Sequence, residues 1–164
     1  MALFRRDPRP PKQEPAAPSA PPDGDSPAEL RTNLSTVNRF INQSSGRLPG
    51  VAVVNARRVT DTLREIIDTS DTRPLDVYAV ITVQATLHDY LPTTLRSYLA
   101  VDEDLRETRR SSGRTPTQAL LEQIDALQRS ADTVLVATDN QDIDALMTQG
   151  SFLRTKYAAS DLDL

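Results

Sequence analysis

The chain has 164 residues, 19 Lys or Arg against 23 Asp or Glu, a formal net charge of −4, one histidine, no tryptophan and no cysteine. This length is that of one domain. Without cysteine there is no disulfide or thiolate metal site, and a single histidine rules out Ser-His-Asp, Cys-His and multi-histidine metal sites within one chain. An acidic balance and 4% aromatic residues argue against a nucleic-acid binder, which needs a basic face or a platform of stacked rings.

Residues 1–27, MALFRRDPRPPKQEPAAPSAPPDGDSP, hold most of the 12 prolines. Proline removes backbone donors, and little apolar surface is present to offset ordering entropy, so a disordered tail of polyproline II character is expected. Its basic residues Arg5, Arg6, Arg9 and Lys12 sit at the front beside Leu3 and Phe4. They make at most a weak peripheral contact with an anionic membrane. The opening residues lack an apolar h-region, so no secretory signal is read there. A soluble, cytoplasmic protein is expected, with the inner face of the membrane as the variant location.

Ser26-Pro27 reads as an N-cap followed by proline in the first helical turn. Leu30, Leu34, Val37 and Ile41 then recur on one helical face, and SSGRLPG (44–50) ends the helix. A second helix starts near Gly50 with Ala52, Ala56, Val59, Leu63 and Ile66 as its stripe, and stops near DTSDTRP (68–74). Val77–Val83 is β-branched enough to pass for a strand. No other segment alternates to pair with it, and Val77, Val80, Ile81, Gln84, Leu87 and Leu91 fit a helical face, so a helix is predicted.

Pro92 falls inside DYLPTTLRSYL (89–99). It lacks a backbone N–H and disfavours α geometry at Leu91, yet the apolar register continues through Leu87, Leu91, Leu95 and Tyr98 or Leu99. Either a kink or a new helix with Pro92 in its first turn satisfies that pattern. The hydroxyls of Thr93 and Thr94 are expected to bond backbone groups freed at the bend. The bend would also expose His88, Asp89, Tyr90, Thr93 and Thr94 together, which makes these five and Pro92 the candidate contact residues. DEDLRETRRSSGR (102–114) reads as a solvated helix end and loop. Thr115-Pro116 opens another helix, with Leu120, Ile124, Leu127, Ala131 and Val134 as its stripe. DNQD (139–142) is expected to interrupt or re-cap it before Ile143, Leu146, Met147, Leu153 and Tyr157. The fold class is therefore all-α: an antiparallel bundle of four or five helices over 28–158, with the Pro-rich tail before it and a flexible end at 159–164.

DYLPTTLRSYLAVDE (89–103) resembles the YLPTTL-type segment of the XpaC family, named for hydrolysis of 5-bromo-4-chloroindolyl phosphate. LLEQIDALQRSADTVL (120–135) and DNQDIDALMTQGSFL (139–153) are similar in kind to its C-terminal helices. The likeness spans about 76–157, and its specific motif is Tyr90–Leu95. It implies a helical protein associated with TelA-type toxic-anion resistance proteins. The hydrophobic segments that some members carry near the N-terminus have no counterpart here.

Hydrolysis is harder to find in the residues. There is no Cys-x5-Arg and no phosphate-cradling glycine loop, and Asp139–Asp144 lacks the central Gly and terminal Glu of a Ca²⁺ loop. His88 reads either as a half-buried helix residue or as a lone acid-base group. Asp89, Thr93 and Thr94 form a conceivable site with nothing to activate it. We expect no catalytic residues, cofactor or metal, and a non-enzymatic helical scaffold or accessory protein that binds a helical partner or itself. A weak phosphohydrolase and a peripheral membrane module are the competing classes.

Overall fold

The computed structural model describes residues 26–160, with side chains described for 26–141. The expected tail up to residue 25 and the chain end from 161 lie outside the described residues, as do the side chains of Ile143, Leu146, Met147, Leu153 and Tyr157. The described residues are helical with no strand.

Helix α1 (Pro27–Ser44) opens on a capping box: the Ser26 hydroxyl accepts from the Glu29 N–H (3.3 Å), and the Glu29 carboxylate accepts from the Ser26 N–H (3.2 Å). Leu30, Leu34, Val37 and Ile41 are all buried, as their spacing requires. A 3₁₀ turn (Ser45–Arg47) leads to helix α2 (Gly50–Asp68). Its stripe of Ala52, Ala56, Val59, Leu63 and Ile66 is buried together with Ile67. The two alanines let neighbouring backbones come close. The antiparallel return is clasped at its open end by Arg31, which reaches Asp71 (2.9 Å) and Asp68 (3.3 Å). The hydrogen bond that Arg31 donates to Asp71 holds the Arg31 pKa above its ordinary value, against some desolvation and with help from Asp68. The guanidinium therefore stays charged.

Asp76 caps the next segment, accepting from the Ala79 N–H at 3.0 Å. Helix α3 (Val77–Ala85), a π-helical turn (Thr86–Tyr90) and helix α4 (Leu91–Leu99) then follow without interruption. The helical reading of Val77–Val83 holds, but its expected face does not. Ala79 and Val83 are buried, whereas Val77 and Ile81 lie outside.

After α4 a 3₁₀ turn (Glu103–Leu105) and a loop cross the end of the bundle. Gly113 in that loop adopts φ 75°, the left-handed region that glycine enters without a Cβ clash. Arg106 ties this end together, donating to the carbonyls of Val101 (3.2 Å) and Arg47 (3.0 Å) with its guanidinium 4.9 Å from the Tyr98 ring centre. Helix α5 (Pro116–Ser160) begins on a reciprocal cap between Thr115 and Gln118, each backbone N–H bonding the other's side chain at 3.1 Å.

DNQD neither interrupts nor re-caps α5, which runs continuously through 139–142. None of these four residues is a proline or glycine, and Gln141 points back to Asp76 (3.4 Å). Together with the bond from Arg73 to the Thr138 carbonyl (3.0 Å), this places residues 138–141 of α5 beside the α2–α3 connection. Leu120, Ile124, Ala131 and Val134 of α5 are buried, and Leu127 is half-buried against them. The result is an antiparallel bundle in which α2 lies centrally, between α1 and α5, and the bent α3–α4 rod closes the core.

Candidate functional site

The site is organised by the turn before Pro92. Ala79, Val83, Leu87, Leu91 and Leu95 are all essentially inaccessible, and each is four residues from the next. In a regular α-helix a step of four overshoots a full turn by about 40°, so four steps would carry the stripe about 160° round the helix. Within the π turn the Leu91 N–H donates to the Thr86 carbonyl, five residues back. That wider turn takes back part of the drift and keeps the stripe on the core. It also relieves Pro92, whose ring would otherwise strike the carbonyl of His88. Pro92 is thus neither a break nor an ordinary helix start. It lies within one continuous helix, and its ring is buried.

The bend does not gather the six candidate residues; it divides them between two sides. His88 and Pro92 face α1 in a cleft of about 160 Å³ that they share with Asn33, Thr36, Val37, Phe40, Leu87 and Arg96. Asp89, Tyr90, Thr93 and Thr94 face α5 across a wider groove of about 440 Å³, opposite Gln123, Ala126 and Leu127. The Thr93 hydroxyl donates to the Asp89 carboxylate (3.1 Å), not to a freed backbone group. A hydroxyl that does bond the backbone lies about two turns earlier, Thr86 to the Thr82 carbonyl (2.8 Å).

In the α1-side cleft, His88 is exposed rather than half-buried. Its Nε2 lies 2.7 Å from the side-chain nitrogen of Asn33. An amide nitrogen only donates, so Nε2 accepts and the ring proton is assigned to Nδ1. Opposite, the Arg96 guanidinium lies over the Phe40 ring at 5.3 Å from its centre. No carboxylate pairs with Arg96 among the described residues. Thr36 spends its hydroxyl proton on the Thr32 carbonyl (3.1 Å), leaving its oxygen as an acceptor. The cleft combines an apolar wall with one fixed cation and a histidine–amide pair, an arrangement suited to holding a ligand. On the other side, an exposed carboxylate bonded to a threonine one turn away orients two surface side chains. No group of three or more His, Cys, Asp or Glu side chains converges on a metal-sized point among the described residues.

A second surface carries no polar motif. Val77, Tyr78 and Ile81 are 75%, 65% and 57% exposed, adjacent on the face of α3 opposite Ala79 and Val83. No residue from Val77 to Leu87 is charged, so the outer face of α3 carries Val77, Tyr78 and Ile81 beside the uncharged Gln84, while its inner face is apolar. The outer faces of α1 and α2, by contrast, carry arginines and carboxylates such as Arg31, Arg64 and Asp61. Asn33, Thr36, Phe40 and Arg96 were also missed as site residues. They come from segments about fifty residues apart, and no local pattern announces that pairing. The uncharged run on α3 is legible in the sequence, but the face formed by Val77, Val80, Ile81, Gln84, Leu87 and Leu91 does not single out its exposed side.

Among the described residues, no helix is long and apolar enough to cross a membrane. No family model, curated protein or solved structure matches this chain.

Proposed function

We propose that this protein is a non-enzymatic helical scaffold that pairs with a second copy of itself through the outer face of α3. The observation that carries this reading is the set Val77, Tyr78 and Ile81, exposed together on a helix without a charged residue. A helix with large apolar side chains on opposite faces is normally covered on both, and exposed apolar patches mark association surfaces. The uncharged face is compatible with a second copy in spite of the net charge. Each molecule carries a net charge of −4, so two copies repel except where a face is neutral. A two-fold interface sets a patch against itself, which an uncharged face tolerates and a charged one does not. The side chains are also poor helix formers, since Val77, Val80, Ile81, Thr82 and Val83 are β-branched. Packing rather than propensity therefore holds α3, and a partner would add to that packing.

The setting we propose follows the likeness of Tyr90–Leu95 to the XpaC family: an accessory role in toxic-anion resistance or envelope stress, in the cytoplasm or at the inner face of its membrane. Sedimentation velocity tests the association. The wild-type chain is expected to form dimers at micromolar to submillimolar concentration, and Ile81→Glu to stay monomeric with an unchanged helical circular-dichroism spectrum. A monomeric wild type across that range would overturn self-pairing and leave the face to a different helical partner.

A further inference from the structure

We propose that the cleft between α1 and the bent helix binds a small carboxylate with a short alkyl stem, a property independent of self-pairing. The polar end of the cleft is Arg96. Its guanidinium carbon lies 5.3 Å from the Phe40 ring centre, and a guanidinium in such a cation–π contact keeps N–H groups for a two-point contact with a carboxylate. No Asp or Glu lines the cleft, and no carboxylate among the described residues neutralises Arg96. Asn33 spends one amide N–H on His88 and keeps a second for a ligand oxygen.

The apolar end selects against a bare inorganic anion. Val37, Leu87 and the Pro92 ring form that part of the lining, and a spherical or tetrahedral ion would leave it uncovered. The volume of about 160 Å³ corresponds to roughly five waters at about 30 Å³ each, which is room for a carboxylate on a chain of three or four carbons. The wider turn before Pro92 helps to form the cleft by placing His88 and Pro92 on its α1 side. Such a carboxylate has two sources, a free short-chain acid or the glutamate side chain of a partner segment.

Both sources are tested by titrating the full ¹⁵N-labelled chain with butanoate, with glutamate capped at both ends as an amide, and with butanamide as the neutral isostere. Saturable shifts are expected at residues 33–40 and 87–96 with at least one of the two carboxylates, and about tenfold weaker binding of butanamide, since a charge-assisted pair is roughly twice as strong as a neutral one. Tighter binding of butanoate assigns the site to a free acid, and tighter binding of capped glutamate assigns it to a partner side chain. Arg96→Gln is expected to lose tenfold or more for either carboxylate, and Arg96→Lys to recover part of that loss. The exposed position of Arg96 should leave the thermal midpoint of both variants near wild type. Butanamide binding as tightly as butanoate, an Arg96→Gln chain that binds unchanged, or the absence of saturable shifts from both carboxylates would overturn the assignment.

Discussion

Replacing Pro92 by alanine separates two accounts of this helix by the sign of the stability change. The proline ring is buried between the bent helix and α1. Alanine removes two methylenes, which at about 0.8 kcal/mol each costs about 1.6 kcal/mol of burial. Freeing the unfolded chain at that position costs a further 0.4–1 kcal/mol or so. Against this stands one new N–H, worth about 1 kcal/mol if it finds a carbonyl. The balance is a destabilisation of about 1 kcal/mol. The alternative is a proline strained inside an ordinary α-helix, where its removal relieves about 3 kcal/mol and wins. The π turn argues against that alternative, because the Leu91 N–H already bonds five residues back and the clash with the His88 carbonyl is already avoided. Urea denaturation followed by far-UV circular dichroism measures the difference. A Pro92→Ala chain more stable than wild type by 1 kcal/mol or more would refute the reasoning.

Three further outcomes follow from the packing. Leu63→Ala empties a fully buried site on the central helix and should cost about 2–5 kcal/mol in the same denaturation assay. Ser26→Ala removes the capping hydroxyl of α1 and should cost about 1 kcal/mol, with most of the deficit recovered by Ser26→Asp. Arg106→Met keeps much of the stem but loses two backbone contacts and the cation–π contact with Tyr98. A loss of about 2 kcal/mol is expected, and early protease cleavage in the loop 106–115 would report the loosened end.

How much of this was legible depended on the range of the signal. Helix α2 was readable from its stripe alone, Ala52 to Ile66, with no side chain capping its start, and helix α1 because cap and stripe agree, Ser26-Pro27 with Leu30 to Ile41. The start of α5 was legible for the same reason at Thr115-Pro116. Its length was not, because the acidic and amide residues of DNQD resemble a cap, although nothing in them stops a helix already under way. Helix α3 was recognised but turned the wrong way. Val77, Val80, Ile81, Gln84, Leu87 and Leu91 fit one helical face by spacing, whereas the repeat of four through Ala79, Val83, Leu87, Leu91 and Leu95 held the information. An unbroken step of four over five positions does not fit a regular α-helix, and it signals both the buried face and the wider turn. The candidate residues around Pro92 were chosen by proximity in the chain. The bend sends His88 to α1 and Asp89, Tyr90, Thr93 and Thr94 to α5, a division that depends on neighbours contributed by distant segments.

Because the chain has no cysteine of its own, one introduced cysteine tests self-pairing through α3 directly. Tyr78→Cys and Ile81→Cys place a thiol on the proposed two-fold face, and Asn42→Cys places one on an exposed position of α1 as a control. Mild oxidation of dilute protein, read on a non-reducing gel, should convert the two α3 variants to covalent dimers quickly and the control slowly. Tyr78→Cys and Ile81→Cys chains that cross-link no faster than Asn42→Cys would contradict self-pairing through this face.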